Sequence, residues 1–255
     1  MTRVLVGSTG FVGSTLLGAT QFDVAVHRPD VERLRGLRAE LVVCAGLPAA
    51  KWASNRNPDA DSANVDALCA VLRDLRADRF VLISTVDTYP SPEGVDERTD
   101  VDGATNHAYG ANRRRFEQFV QEHFTEVSIL RLPALFGTGL RKNVLFDLLR
   151  GNLLAKIQPR SRFQWYPLRR LWSDIERALT ARVSLANLVT EPLETAALLQ
   201  SYFPGLEVGS EADAPVRYDV RTQHAATFGG SGHYLLGATA VLEEIGRFVD
   251  EERRR

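Results

Sequence analysis

The sequence contains little of what disulfide or metal chemistry needs. Its 255 residues include only two cysteines and five histidines, and neither type is spaced as in a metal site. Cys44 falls in an apolar strand and Cys69 on an apolar helical face, so both are expected to be small buried side chains in a reduced compartment. The absence of a Gly-x-Ser-x-Gly motif argues against a hydrolase with that nucleophile. No metal is predicted.

An excess of charge and a long apolar run are also missing. The net charge is −1, which gives no general attraction to nucleic acid or an anionic membrane. The basic end 253–255 is interpreted as a solvated helix terminus. No apolar run reaches the roughly 18 to 20 residues that span a bilayer, and a core strand starting at residue 2 leaves no room for a signal peptide. The expectation is a cytoplasmic protein with a small-molecule partner, without nucleic acid or membrane.

Glycines are instead concentrated at the start of the chain. A short apolar stretch, 2–6, is followed by Gly7, Gly10 and Gly13 and then by a helix. Glycines at such positions allow a tight turn, a close approach of the backbone to a pyrophosphate, and close packing of helix on strand. The spacing is Gly-x-x-Gly-x-x-Gly, and glycines also serve ordinary turns. The position after the first strand favours a dinucleotide site.

Strands and helices alternate over the first half of the chain. Strands are predicted at 22–27, 40–45, 80–84 and 127–132, and helices at 61–77 and 109–124. This alternation predicts an α/β fold, a doubly wound parallel Rossmann sheet. Residues 1–137 are predicted to form the dinucleotide-binding core. Residues 138–255 are predicted to form a small C-terminal substrate lobe that packs back on it, with a strand at 185–189 and helices from about 190 and at 239–252.

Polar side chains follow three of the predicted strands. Ligands of such a sheet bind at the carboxyl ends of its strands, where Ser84, Thr85 and Asp87 are expected. Tyr109 points into the same region, and Arg113 lies one helical turn further on. A nearby cation favours the phenolate, and a hydroxyl of Ser84 or Thr85 would orient a carbonyl. This is an acid–base arrangement suited to hydride transfer.

Several segments in this order resemble one family. They are the glycine turn, Asn64, Ser84-Thr85 before Tyr89, the run 109–113 and the run 130–137. Together they resemble extended short-chain dehydrogenases/reductases of the sugar-nucleotide epimerase, dehydratase and reductase group. The resemblance covers roughly the first 145 residues. It implies that Thr85 holds the substrate oxygen, Tyr109 is the acid/base, and Asp87 matches an acidic helper of the dehydratases.

Arg113 departs from the family pattern, which has a lysine there. The family lysine binds the nicotinamide ribose and lowers the tyrosine pKa, whereas arginine keeps the charge but is planar and bulkier. The alternative is that Arg113 is an ordinary surface residue of the helix and that the protein has lost catalytic activity.

The cofactor site is expected to involve the glycine turn and the ends of several strands. The second strand ends at His27-Arg28, which favours NADP(H) over NAD(H) because an arginine accommodates a 2′-phosphate. NAD(H) stays an alternative, because Asp30 is an acidic residue of the kind that binds the ribose hydroxyls of NAD. The short link to the next strand suggests an abbreviated adenine side. The predicted cofactor-binding residues are Gly7, Thr9, Gly10, Phe11, Val12, Gly13, His27, Arg28, Ala45, Gly46, Arg113 and Pro133.

Substrate contacts are predicted at Lys51, Arg141 and Asn143. Asn143 either holds a substrate diphosphate or is an ordinary helix N-cap, and Lys51 either meets a sugar or is solvated. The sequence thus predicts an NAD(P)-dependent oxidoreductase or epimerase acting on a sugar nucleotide or a related polyhydroxylated molecule. The alternative is a redox-silent NADP(H)-binding sensor or scaffold. By resemblance, the helices 61–77 and 109–124 would pair two subunits in a homodimer.

Overall fold

The computed structural model describes residues 2–255 as an alternation of helices and strands. The helices are α1 (Phe11–Ala19), α2 (Lys51–Arg56), α3 (Pro58–Leu72), α4 (Ala108–His123), α5 (Val144–Arg150), α6 (Leu171–Thr180), α7 (Thr195–Tyr202) and α8 (Ala238–Arg253). The strands are β1 (Arg3–Val6), β2 (Val24–Val26), β3 (Arg38–Cys44), β4 (Arg76–Thr85), β5 (Glu93–Val95), β6 (Val127–Leu132), β7 (Ala134–Phe136), β8 (Arg162–Phe163), β9 (Trp165–Pro167), β10 (Leu185–Asn187), β11 (Leu193–Glu194) and β12 (Asp219–Val220).

These elements form two compact units. The first contains the residues up to Ser91 together with Arg98–Arg131 and Leu171–Ala186. The second contains Pro92–Glu97, Leu132–Arg170 and Asn187–Arg255. The functional division at residue 137 stays a prediction.

A six-stranded sheet organises the first unit, with the strand order β10-β6-β4-β3-β1-β2. β1 pairs in parallel with β2 and β3, and β3 pairs in parallel with β4. The predicted doubly wound parallel sheet is confirmed. The carboxyl ends of β1, β3 and β4 therefore lie along one edge, and the residues that follow these strands meet there.

Alternating side chains build a core on each face of this sheet. Val4 and Val6 of β1 belong to a buried cluster with residues of α3 and α4. Leu5, between them, is also fully buried and points to the opposite face because successive side chains of a strand alternate. The pattern explains why these strands are nearly continuous apolar runs in the sequence.

A buried ion pair joins α4 to β6. Nε and Nη2 of Arg131 donate to the two carboxylate oxygens of Glu117 at 2.9 and 2.6 Å, and both residues are at most 1% exposed. The Arg131 guanidinium lies over the ring of Tyr89, 4.9 Å from its centroid. Ser84, near the end of β4, donates its hydroxyl to the same carboxylate at 2.5 Å. One carboxylate thus links β4, α4 and β6.

Two predicted helix boundaries are wrong, and one short helix was not predicted. The helix predicted at 61–77 ends at Leu72, because Leu75, counted on its apolar stripe, is buried just before β4. The helix predicted from about residue 190 begins at Thr195, since Pro192 disfavours helix before it and β11 occupies Leu193–Glu194. α2 was not predicted, because its six residues are too few to show a helical period.

The second unit has its own core of short sheets and helices. β7 pairs in parallel with β9, β11 pairs with β8 in antiparallel fashion, and β12 pairs with β5. Phe136 of β7, Trp165 of β9 and Phe248 of α8 share one buried cluster. The terminal helix, predicted at 239–252, is confirmed as α8.

Replacement of Arg131 by leucine tests the buried pair. The change leaves Glu117 buried without its cation, and we expect the free energy of unfolding to fall by about 3–5 kcal/mol. Urea denaturation measures it. The control is Arg115→Leu, which removes a half-exposed pair with Asp66 and should cost no more than about 1 kcal/mol. Equal losses in the two variants would contradict the structural role given to Glu117.

Candidate active site

The glycine turn after β1 depends on two close backbone approaches. Gly7 has φ +91°, and a Cβ there would lie 2.3 Å from the carbonyl oxygen of Ala45. A Cβ on Gly13 would lie 2.0 Å from the carbonyl oxygen of Gly7. The N–H of Ala45 donates to Val6 O at 2.9 Å. Glycine at positions 7 and 13 therefore packs α1 and the end of β3 against the turn.

Gly10 is different, because the protein itself does not require glycine there. A Cβ on Gly10 would be 3.5 Å from Gly7 O, an ordinary contact. Gly10 is the N-cap residue of α1 and offers no side-chain cap, and this nine-residue helix begins beside exposed Thr9. Helix N-termini bind phosphate. The turn, with half-buried Phe11 and Val12 behind it, fits a dinucleotide pyrophosphate.

The residues after β2 are those predicted to lie on the adenine side of the cofactor. Nδ1 of His27 lies 2.9 Å from Oδ2 of Asp30, and Arg28 is exposed at the start of a short 3₁₀ helix, Arg28–Leu34. β3 begins at Arg38, so the link between the second and third strands is as short as predicted. The structure brings Asp30 to His27 and leaves the Arg28 side chain on the surface.

The first turn of α4 lies against the turn that follows β4. A Cβ on Gly110 would be 2.2 Å from the carbonyl oxygen of Asp87, so only glycine permits this approach. The helix start is held by side chains: Nδ1 of His107 accepts from the Gly110 N–H at 3.0 Å, and Oδ1 of Asn55 accepts from the Tyr109 N–H at 2.9 Å. This packing places Tyr109 beside Thr85.

The phenol of Tyr109 is nearly buried, 7% exposed. Burial raises its pKa, and the charge of Asp87 raises it further. Arg113 and a hydrogen bond with Thr85 act in the opposite direction, but the pKa of Tyr109 is raised overall. Arg113 lowers this pKa, as the sequence predicts for a nearby cation, but desolvation of the phenol has the larger effect. The phenol is protonated at neutral pH.

Arg113 is buried rather than a surface residue. It is 5% exposed, and Nη1 and Nη2 donate to the two carboxylate oxygens of Asp61 at 3.0 and 3.1 Å. Nη2 also donates to Pro48 O. The guanidinium lies 4.3 Å from the centroid of the Tyr109 ring. Arg113 thus lies against Tyr109 with its charge compensated by Asp61.

Asp61 is a site residue that the sequence reasoning missed. Burial by itself would raise its pKa, but hydrogen bonds from Arg113, Asn112 and Ser54 lower that pKa overall. The carboxylate is therefore ionised and holds α3, α4 and the residues after β3 together. Its signal in the sequence was an acidic residue on the buried stripe of α3, one turn before Val65.

The two candidate hydroxyls at the end of β4 have different partners. Ser84 donates to Glu117 within the buried network, whereas Thr85 interacts with Tyr109 and accepts from the Asp87 N–H at 3.1 Å. Oδ1 of Asp87 lies 2.7 Å from Nζ of Lys51, on α2. The structure therefore brings together four predicted residues, Lys51, Thr85, Asp87 and Tyr109.

Three further predicted residues, Pro133, Arg141 and Asn143, lie in the second unit. Asn143, with φ +124°, is the N-cap of α5: Oδ1 accepts from the Phe146 N–H at 3.0 Å, and Nδ2 donates to Leu135 O at 2.8 Å. Asn143 therefore acts as an N-cap with its amide engaged at both ends, and its contact with substrate stays a prediction. Arg141 is exposed and Pro133 is half-buried between β6 and β7.

The structure also gives the surroundings of the histidine, cysteine and acidic side chains in residues 2–255. No group of His, Cys, Asp and Glu side chains there is arranged to hold a metal ion. Cys44 and Cys69 are buried and unpaired, as expected, and burial raises the pKa of Cys44 to about 12 and that of Cys69 to about 11. Between residues 2 and 255, no helix is long and apolar enough to cross a membrane.

The structure is a Rossmann-like parallel sheet with a glycine turn after β1 and with Tyr109 beside Thr85, the last residue of β4. The chain belongs to the NAD-dependent epimerase/dehydratase family, whose family model matches residues 22–162. The resemblance seen in the sequence is confirmed. The matched range contains Thr85, Tyr109 and Arg113 but begins after the glycine turn. No curated protein matches this sequence.

Solved structures similar to this chain confirm the fold. The NAD-dependent NDP-hexosamine 5,6-dehydratase TunA of tunicamycin biosynthesis is 19% identical, with 100% of this chain and 99% of that chain covered and a TM-score of 0.76. The UDP-glucose 4-epimerase of Thermotoga maritima is 14% identical over 100% and 99%, with a TM-score of 0.73. The dTDP-4-dehydrorhamnose reductase of Bacillus anthracis, in complex with NADP, is 16% identical over 98% and 99%, with a TM-score of 0.75.

Paired glycine substitutions test the glycine turn. Gly10→Ala should leave the free energy of unfolding within about 0.5 kcal/mol of wild type but weaken NADPH binding at least tenfold, because its Cβ enters the space of the pyrophosphate. Gly13→Ala should destabilise the protein by about 1–3 kcal/mol through its clash with Gly7 O. Urea denaturation measures the free energy of unfolding, and nicotinamide fluorescence measures the affinity for NADPH. Unchanged affinity in Gly10→Ala would contradict the role assigned to Gly10.

Proposed function

We propose that the protein is an NAD(P)-dependent enzyme that reduces, oxidises or epimerises a carbon of a sugar nucleotide or a related polyhydroxylated molecule. One observation carries the proposal: the phenol of Tyr109 is held beside the hydroxyl of Thr85 at the sheet edge that also carries the glycine turn. A proton donor and a carbonyl-orienting hydroxyl are what a hydride-transfer site needs beside its cofactor. Family membership favours this enzyme over a redox-silent sensor or scaffold.

The residues of the site have separate roles in this proposal. The nicotinamide, when bound, supplies or accepts the hydride. Tyr109 gives its proton to the substrate oxygen, which agrees with a phenol whose pKa is raised by burial. Thr85 orients that oxygen through a hydrogen bond. Arg113 forms an ion pair with Asp61 and holds the Tyr109 ring in place. Its charge is close enough to the phenol to offset part of the free-energy cost of forming the phenolate.

We assign the cofactor preference to NADP(H). Arg28 is exposed directly after β2, where an arginine accommodates a 2′-phosphate. Asp30, which could otherwise bind the ribose hydroxyls of NAD, is paired with His27. Among the structural neighbours, a dTDP-glucose 4,6-dehydratase from Streptomyces venezuelae holds NAD and a reductase holds NADP. The pairing of Asp30 is what supports NADP(H) here.

The proposed substrate contacts are Lys51, beside Thr85, and Arg141 with Asn143 in the second unit. We retain a homodimer through α3 and α4 and a cytoplasmic location as expectations. The outward positions of α3 carry alanine and aspartate rather than large apolar side chains: Ala60, Ala63, Asp66, Ala67 and Ala70.

Replacement of Tyr109 by phenylalanine tests the mechanism. Removal of the hydroxyl should lower turnover of a nucleotide-linked keto sugar with NADPH by 10²-fold or more, while NADPH affinity stays within about twofold. NADPH absorbance gives the turnover and fluorescence titration gives the affinity. Tyr202→Phe, the same chemical change in the second unit, is the control. Turnover equal to wild type in Tyr109→Phe would refute the role of the phenol.

Replacement of Arg28 by alanine tests the cofactor preference. Loss of the cation should weaken NADPH binding about tenfold, or about 1.4 kcal/mol, and leave NADH binding unchanged, because only NADPH carries the 2′-phosphate. Arg33→Ala, another exposed arginine of the same 3₁₀ helix, is the control. An equal effect of Arg28→Ala on both nucleotides would show that Arg28 does not read the phosphate.

A further inference from the structure

His107 is the N-cap residue of α4, although serine, threonine, asparagine and aspartate are the preferred N-caps. Its Nδ1 accepts a hydrogen bond from the Gly110 N–H at 3.0 Å, which a serine hydroxyl would do equally well. The second ring nitrogen, Nε2, is not needed for the cap. In the part of the chain that the structure describes, Nε2 has no hydrogen-bond partner. The cap alone therefore does not explain a histidine at this position.

The surroundings of the imidazole determine where its hydrogen is. Burial lowers the pKa of His107, and the charge of Lys51 lowers it further, while Asp87 acts in the opposite direction without reversing the shift. The ring is therefore uncharged at neutral pH. Because Nδ1 accepts a hydrogen bond, the single ring hydrogen is on Nε2. His107 thus presents one N–H donor, which is directed away from the first turn of α4.

The segment that carries this donor is held to the end of β4. The backbone N–H of His107 donates to Oδ1 of Asn106 at 2.7 Å. Nδ2 of Asn106 donates to the carbonyl oxygens of Asp87 and Thr88, both at 3.0 Å. Both carbonyl groups belong to the short 3₁₀ helix that follows β4. The imidazole therefore has a fixed position relative to the hydroxyl at the end of that strand.

The ring also lies beside the phenol of the site. The centroid of the His107 ring is 6.3 Å from that of Tyr109, and the charges of Lys51 and Asp87 both act on the imidazole. In the proposed function, Tyr109 and Thr85 are the two partners of the reacting oxygen. A polyhydroxylated substrate carries a second oxygen on the neighbouring carbon. A neutral N–H donor next to Tyr109 suits that second oxygen.

We propose that His107 donates its Nε2–H to the hydroxyl oxygen on the carbon next to the reacting carbonyl, and that it thereby selects hydroxylated over deoxygenated keto sugars. The inference rests on the proposed function and adds a determinant of substrate choice. No proton leaves the imidazole in this role, because a neutral ring only donates a hydrogen bond. His107 is therefore a specificity-determining residue that also caps α4.

Two substrates that differ by one hydroxyl measure this selection. The first is a thymidine-diphosphate-linked 4-keto-6-deoxyhexose with a hydroxyl at C3, and the second is its 3-deoxy analogue. NADPH absorbance gives kcat/KM for the reduction of each ketone. We expect wild type to prefer the hydroxylated substrate by about threefold to tenfold, because the analogue removes the partner of one hydrogen bond between uncharged groups.

His107→Ser is the decisive variant, because serine keeps the helix cap but lacks the imidazole N–H. We expect this variant to reduce the two substrates with kcat/KM values within about twofold of each other. Its kcat/KM for the 3-deoxy analogue and its urea midpoint should equal those of wild type. His123→Ser, the same change at the exposed far end of α4, should keep the wild-type preference.

Retention of the wild-type preference by His107→Ser would overturn the proposed role. An equal loss of kcat/KM for both substrates in that variant would also overturn it, because a purely structural contribution does not depend on the C3 hydroxyl. Wild-type protein that reduces both ketones equally well would contradict the inference and leave the proposed function intact. Reduction of neither ketone by wild type would count against the proposed function and the inference together.

Discussion

The geometry of the site depends on one buried carboxylate. Glu117 is fully buried and accepts hydrogen bonds from Ser84 and Arg131. Ser84 directly precedes Thr85, and Glu117 lies eight residues after Tyr109 on the same helix. The carboxylate therefore fixes the end of β4 relative to α4, and with it the hydroxyl of Thr85 relative to the phenol of Tyr109. Such a group is costly to bury and costly to unpair, so the arrangement has little freedom to relax.

The two cations near Tyr109, Arg113 and Lys51, differ in their burial and in their partners. Arg113 occupies the place of the family's lysine, yet its guanidinium is engaged by Asp61 and Pro48. The flexible ammonium of this region is instead that of Lys51, in contact with Asp87. Arginine suits the buried, bidentate pair with Asp61, whereas the pair of Lys51 with Asp87 is partly exposed. The departure from the family pattern at residue 113 thus accompanies a second cation on α2.

The sequence predicted what depends on local pattern. β6 occupies Val127–Leu132 as predicted, and the parallel sheet and the terminal helix are confirmed, because apolar runs and helical periods are local signals. The pairings within the site were not predictable in the same way. Asp61 and Arg113 are 52 residues apart and Lys51 and Asp87 are 36 apart, and no local pattern encodes which charges meet.

The sequence predicted the direction of the effect of Arg113 on the pKa of Tyr109 but not the larger effect of burial, for a related reason. A cation four residues away is visible in the sequence, but desolvation depends on everything that packs around the phenol, and here it is the larger effect. Packing also distinguishes Gly10 from Gly13, although the two glycines are equivalent in the sequence motif. Only the structure shows that Gly13 is required by the protein itself and that Gly10 leaves room for a ligand.

The central claim is that the turn after β1 holds a dinucleotide whose nicotinamide serves Tyr109 and Thr85. Titration of the purified protein with NADPH, followed by nicotinamide fluorescence after any nucleotide retained through purification has been released and identified, tests it most directly. The account predicts saturable binding of one nucleotide per chain, with NADPH preferred to NADH. Absence of binding by either nucleotide, to protein that is folded and free of retained cofactor, would contradict it.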